Sequence, residues 1–214
     1  MEKNTLYIAY GSNLNIPQIG YRCPFARVHG VGRIEDYRLA FKALGACAYA
    51  TIEPSEGDYV PAVLWEIGQC EEKRLDRYEG FPTHYYKKEI IVQTAGRETQ
   101  GMVYVMNETA HYARPEQQYF NAVLEGYRSF GLEEHKLYEA LYRAENKESF
   151  HKSTLQLYRK MNMLTQKQLA EQSGLKEGMI QKYETGERDI AKGQAESVLK
   201  LADALGVSVR ALIR

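Results

Sequence analysis

The chain changes its periodicity part-way along, and that change requires strands and helices in separate regions. Up to about residue 110 the apolar residues come in short runs that suit strands. Lys88–Thr94 and Gln100–Met106 are rich in β-branched and aromatic residues, and Ala95-Gly96-Arg97-Glu98 between them supplies a turn, so this stretch predicts a hairpin. Gly57–Ile67 predicts a further strand with Trp65 in the core, and Glu71–Tyr78 a short helix stopped by Gly80. After Arg114-Pro115 the pattern turns helical: Tyr119, Val123, Tyr127 and then Phe130 share one face, and Gly131 can close the turn. Glu133–Glu145 predicts another helix, with Leu137, Leu141 and Ala144 on one face.

Glu145–Lys152 is polar and aperiodic, which places a domain boundary there: a first domain over 1–145, a linker over 146–152 and a second domain over 153–214. A length of 214 residues suits one medium domain and one small one. From Ser153 onward the chain reads as four or five short helices. Thr165 caps one of them, with Gln168 three residues later as the reciprocal half of a capping box. Ala170 and Gly174 are small where two helices must cross, and Leu175, Ile180 and Tyr183 face inward until Gly186. Val198, Leu201, Ala202 and Leu205 form a further stripe, stopped by Gly206.

Several chemistries have no footing in this sequence. The cysteines Cys23, Cys47 and Cys70 are odd in number and widely spaced, so neither a disulfide framework nor a zinc site is indicated. The five histidines show no metal-ligand spacing and are expected to be surface or structural, so no metal and no cofactor is expected. Cys47 could serve as a nucleophile, but its small neighbours Gly45-Ala46 and Ala48 favour a buried packing role. Nucleotide-binding, serine-hydrolase and zinc-protease motifs are missing. There is no apolar run of membrane-spanning length and no basic-then-apolar leader, so a cytoplasmic protein without a membrane partner is expected. The net charge of zero is unevenly spread: residues 151–214 carry eleven Lys and Arg against seven Asp and Glu, which points this segment alone toward a polyanion.

Two segments carry the chemistry. Leu6–Tyr10 reads as a short buried strand that breaks into Gly11-Ser12-Asn13. Glycine permits the bend, and backbone N–H groups exposed at such a turn can hold a carboxylate or a developing oxyanion. By itself this is a strand-exit turn. The second segment is Leu75-Asp76-Arg77-Tyr78-Glu79-Gly80-Phe81. Together the two resemble the γ-glutamylcyclotransferase family, whose Tyr-Gly-Ser-Asn loop binds a γ-glutamyl group and whose Leu-Asp-x-x-Glu-Gly glutamate is an acid/base. Ala50-Thr51-Ile52, Ala62-Val63-Leu64-Trp65 and Pro115–Tyr119 follow in the family's order, so the resemblance covers roughly residues 5 to 132.

The resemblance implies an α+β fold, a small β-barrel with flanking helices, and the cyclisation of a γ-glutamyl amide to 5-oxoproline with release of an amine. It assigns the acid/base role to Glu79 and substrate binding to Tyr7, Ile8, Ala9, Tyr10, Gly11, Ser12, Asn13 and Tyr119. If Gly80 ends the helix, Glu79 sits at the negative end of the helix dipole, which disfavours its charge and raises its pKa. Asp76, one turn earlier, is expected to be a surface or capping group. The leaving amine stays open: glutathione-derived dipeptides, γ-glutamyl amines and γ-glutamyl-capped metabolites share the recognised half.

The second domain resembles the Cro-type (Xre-type) helix-turn-helix, an all-α module. Thr165-Gln166-x-x-Leu169-Ala170-x-x-Ser173-Gly174-Leu175, Ile180-x-x-Tyr183-Glu184-x-Gly186 and Leu201-Ala202-x-Ala204-Leu205-Gly206-Val207 carry the likeness. It implies a recognition helix from about Lys176 to Thr185 whose face of Lys176, Glu177, Gly178, Gln181 and Lys182 enters the major groove of double-stranded DNA, with Gln166 on a phosphate. A homodimer is consistent with such modules, which read two half-sites. Glu177 and Glu187 are acidic where polar or basic residues are usual. Two readings follow: an enzyme with an attached DNA-binding module, or a transcriptional regulator whose first domain only senses a γ-glutamyl ligand. The glutamate at position 79 favours the first, since a sensor has no use for an acid/base.

Overall fold

A computed structural model of the protein describes residues 4–43, 45–146 and 153–213. The chain divides into two compact units, Met1–Lys147 and Glu148–Arg214. Of the linker expected over 146–152, Asn146 ends a helix and 147–152 lie outside the described residues.

The first unit is a five-stranded barrel. Its strands are β1 (Thr5–Ala9), β2 (Arg27–Ala43), β3 (Ala48–Ile67), β4 (Tyr85–Thr94) and β5 (Arg97–Met106), joined in the order β3-β1-β5-β4-β2 and closed by a β2–β3 pairing. β1 runs antiparallel to β3, with Tyr7 opposite Trp65, and parallel to β5, with Tyr7 opposite Met102. The narrowest seam of the ring is the β2–β4 junction, with the one pair Arg33 opposite Gln93. The neighbouring Gly32 explains how the strands come so close: a Cβ there would lie 2.6 Å from the Gln93 carbonyl oxygen. A two-residue strand, β6 (His111–Tyr112), continues the sheet beside the end of β2.

The hairpin expected from the sequence forms, but its turn is tighter than the four residues expected. Thr94 pairs with Arg97, so only Ala95 and Gly96 bridge the strands, both at positive φ, as a two-residue hairpin turn requires. The strand expected from Gly57 begins at Ala48, because pairing with β2 carries it through Pro54 and past a register shift at Glu35/Tyr37. Among the described residues, five helical segments flank the barrel: a 3-10 turn (Ser12–Leu14), α1 (Ile16–Arg22), α2 (Gln69–Glu79), α3 (Gln117–Ser129) and α4 (Glu134–Asn146). α1 has no clear periodicity in the sequence. Its start is set locally by the Asn15 side chain, which accepts from the Gln18 N–H, with proline in its first turn. Gly80, left-handed at φ 65, ends α2.

The second unit is all helical: α5 (Thr154–Met161), α6 (Gln166–Ser173), α7 (Glu177–Glu184), a 3-10 turn (Ile190–Lys192), α8 (Ala195–Leu205) and α9 (Val209–Leu212). The capping box closes both ways: the Gln168 N–H donates to Thr165 Oγ1 at 3.1 Å and the Thr165 N–H to Gln168 Oε1 at 2.8 Å. α7 is one residue shorter at each end than expected, because Lys176 and Thr185 are its cap residues. Leu155, Leu169, Ile180, Leu201 and Leu212 form the buried core around a paired Arg159 and Glu184. No helix of the described residues is long and apolar enough to cross a membrane.

Candidate active site

β1 delivers the chain into the barrel mouth, and the 3-10 turn folds Ser12–Leu14 back under α3. The close approach needs a glycine on α3: a Cβ on Gly126 would lie 2.5 Å from Leu14 Cβ and 2.6 Å from its carbonyl carbon. From the other side α2 ends at the same mouth and presents Glu79 in its last turn. Two adjoining hollows result. The inner one, about 30 Å³, is bounded by Tyr7, Tyr10–Asn13, Tyr104, Tyr119 and Glu79. The outer one, about 440 Å³, opens past Glu79 toward Cys47, Tyr49, Tyr78 and His84.

Asn13 organises the inner hollow. Its Nδ2 donates to Tyr7 Oη at 2.7 Å and to Glu79 Oε1 at 3.0 Å. Its Oδ1 accepts from Arg22 Nη1, which fixes the amide's orientation. Arg22 also donates to Ser12 Oγ at 3.3 Å and to Tyr78 Oη at 2.6 Å, and it stacks 3.6 Å above the Tyr78 ring. Two further tyrosines clamp one residue of β3: the Ala50 N–H donates to Tyr119 Oη at 3.1 Å, and Tyr85 Oη donates to the Ala50 carbonyl at 2.9 Å.

Burial pushes the Glu79 carboxyl up to about 7, against the nearby Arg22 charge and the Asn13 hydrogen bond, which both pull it down. The largest cause is thus desolvation, where the sequence suggested the helix dipole. Burial likewise raises the Tyr7, Tyr10 and Tyr119 hydroxyls, so they stand as neutral donors. The hollow therefore offers one carboxyl poised to gain or lose a proton near neutrality, ringed by hydroxyl and amide groups.

Glu79, Tyr7, Tyr10, Gly11, Ser12, Asn13 and Tyr119 come together here. Ile8 and Ala9 do not line either hollow. Ile8 points into the packed core by strand alternation, and Ala9 is a fully covered strand residue opposite Val63. One further expectation changes. Cys47 is only partly covered, lines the outer hollow and lies 3.6 Å from Glu116 Oε1, so it is not a buried packing residue. His84 is exposed, as expected of a surface histidine, and borders that hollow where Gly80 leaves it room that a Cβ would fill. Arg22, Tyr85 and Tyr104 escaped the sequence reading; the one available signal was an arginine nine residues after Asn13, within reach of the loop once Ile16–Arg22 is seen as a helix.

In the second unit Lys176, Glu177, Gly178, Gln181 and Lys182 all lie on α7 or its cap, and each is exposed or half-buried. Lys182 pairs with Glu187 at 2.8 Å, so one acidic residue offsets one basic residue of this face. Gln166, expected on a phosphate, donates from its amide to Glu184 Oε2 at 2.8 Å. Glu184 draws it in because the carboxylate is buried and already bidentate with Arg159, at 2.6 and 2.9 Å, and a buried carboxylate gains from each further donor.

Among known proteins, residues 155–212 match the helix-turn-helix family model. Residues 7–126 match the family model described as gamma-glutamyl cyclotransferase, AIG2-like. The chain is 34% identical over 140 residues to a human gamma-glutamylcyclotransferase, spanning 61% of this chain and 74% of that protein. It is 33% identical over 136 residues to the bovine one, spanning 59% and 72%. A solved gamma-glutamyl cyclotransferase superposes with a TM-score of 0.59 at 29% identity, over 70% of this chain and 90% of that one. With the match running from the strand that enters the loop, through the helix-end glutamate, to α3, the chain belongs to the gamma-glutamyl cyclotransferase, AIG2-like, family.

Proposed function

We propose that this protein cyclises a γ-glutamyl amide to 5-oxoproline and releases the free amine, and that its second unit binds double-stranded DNA. The observation that carries the first half is the meeting of Glu79 and the Tyr10–Asn13 loop in one hollow, bridged by the Asn13 amide. The substrate's own α-amine attacks its γ-carbonyl. Both groups belong to one molecule, so the protein's task is to hold a ring-closing geometry and move one proton.

A free α-amine has a pKa of about 8 and is mostly protonated at neutral pH. The ammonium form first gives its extra proton to solvent; Glu79, raised toward 7, then removes one proton from the attacking neutral amine as the new C–N bond forms. The carbonyl oxygen gains negative charge, which N–H donors of the Gly11–Asn13 turn and neighbouring hydroxyls stabilise. Glu79 then returns the proton to the leaving nitrogen as the amide C–N bond breaks. No water is consumed, and the carboxylate is regenerated.

The test is release of 5-oxoproline from a panel of γ-glutamyl amino acids and γ-glutamyl amines, comparing wild type with Glu79→Gln. The variant should lose at least about a hundredfold in kcat while binding stays within a few-fold. Turnover that survives the substitution overturns the assignment of Glu79. The helix-turn-helix unit supports a second reading, a regulator that senses a γ-glutamyl ligand. Ligand binding without turnover anywhere in the panel would select that reading.

A further inference from the structure

One face of α2 carries three carboxylates, Glu72, Asp76 and Glu79, spaced four and three residues apart so that they lie in a row. Their surroundings differ. Glu72 accepts from Thr5 Oγ1 at 2.7 Å and from Lys87 Nζ at 2.6 Å. Asp76 takes the same ammonium at 2.7 Å and also accepts from Tyr104 Oη at 2.6 Å. Glu79, the last of the row, accepts from the Asn13 amide. The first two are tied to β1, β4 and β5; the third is presented to the hollow.

Tyr104 links the two sides. It is buried, its ring stands edge-on to the Tyr7 ring at a centroid distance of 5.8 Å, and its backbone carbonyl accepts from Tyr10 Oη at 2.6 Å. It also borders the inner hollow. The Tyr104 hydroxyl therefore connects α2, one turn before Glu79, to the strand residue that holds Tyr7 and Tyr10.

We infer that Asp76 and Tyr104 are a positioning pair for Glu79: their hydrogen bond sets how far the end of α2 reaches into the hollow, and so where the Glu79 carboxylate stands against the Tyr10–Asn13 loop. This rests on the proposed role of Glu79. Asp76 is thereby neither the surface group nor the cap that the sequence suggested: its carboxyl group accepts from both the Lys87 ammonium and the Tyr104 hydroxyl. Displacement of a reacting group by a fraction of an ångström to an ångström is enough to slow a reaction severely, which is how a bond outside the hollow can matter to turnover.

The test is Tyr104→Phe, which removes one oxygen and leaves the Asp76–Lys87 pair in place, so the fold should survive; the urea midpoint checks that. The expected result is a fall in kcat of roughly 10- to 100-fold with KM within about threefold. The acid limb of the pH profile should also move below that of wild type, because a Glu79 released toward solvent loses part of the burial that raised it. Asp76→Asn, which keeps an oxygen for Tyr104 to donate to, should retain more activity than Asp76→Ala. If Tyr104→Phe turns over like wild type with an unmoved acid limb, or if Asp76→Asn and Asp76→Ala are equally impaired, the positioning role is wrong. A wild-type protein that releases no 5-oxoproline would instead overturn the underlying role of Glu79.

Discussion

At the residue scale, Asn13 is the most informative side chain. An amide has two donors and one well-directed acceptor, and here each is used: Arg22 supplies the acceptor's partner, while Tyr7 and Glu79 take the donors. Arg22 therefore acts on Glu79 twice, by its charge and by orienting the amide, and both effects lower the carboxyl's pKa. The sign of the pH dependence follows. The reactive form needs Glu79 ionised, so turnover should fall as pH drops through about 7. Arg22→Met removes both lowering influences and should move that acid limb upward. A pH profile of kcat/KM on any turned-over γ-glutamyl amide measures it, and a limb that stays or moves down contradicts the electrostatic account. Glu79 could be assigned from its motif alone. The direction of its pKa shift was expected from the helix end, but the dominant cause was not legible, because desolvation depends on tyrosines from β1, β4 and β5 and from α3 that converge only on folding.

At the element scale, the site depends on where helices press against the loop. α3 holds the Ser12–Leu14 turn through the bare backbone face of Gly126, whereas Gly20 on α1 is exposed, with nothing within 4 Å of where a Cβ would stand. The two glycines should respond oppositely to alanine. Gly126→Ala forces the turn or the helix to shift and should cost about 1–3 kcal/mol of stability, with a loss of turnover through the displaced loop. Gly20→Ala should be neutral or stabilising by up to about 1 kcal/mol, from helix propensity. Urea unfolding of both variants decides it; equal effects would mean that the α3–turn contact is looser than the geometry states. The helices of the second unit were legible because their signals are local: a capping box at Thr165 and Gln168, and left-handed glycines at 174 and 206. α1 was not, since its proline and mixed polarity resemble a loop until Asn15 is seen to cap it.

At the scale of the whole molecule, a family barrel and a helix-turn-helix module share one chain. The second unit carries the positive excess, and its α7 face offers Lys176, Gln181 and Lys182 beside Glu177. If this face meets phosphates, binding of the full chain to a mixed-sequence duplex should weaken by roughly tenfold or more between about 50 and 200 mM salt, through counterion release. Lys176→Ala should flatten that slope. A salt-independent interaction would point to a protein partner for this unit instead. Gln166 spends one amide N–H on Glu184 and keeps a second for a phosphate, so Gln166→Ala should lower the unit's stability as well as affect the slope.

What the sequence settled unaided was whatever depends on neighbours along the chain: the strand-to-turn break at Gly11, the end of α2 at Gly80, the helix caps, and the two motifs that carry the family likeness. Tertiary structure alone decided which groups surround them. Asn13 meets Glu79 across 66 positions and Tyr104 meets Asp76 across 28, distances over which no local pattern carries information. It also removed Ile8 and Ala9 from the hollow and turned Gln166 toward Glu184. The reason is physical: capping and turn formation use hydrogen bonds within a few residues, whereas a carboxyl's proton affinity is set by how much water the assembled barrel excludes.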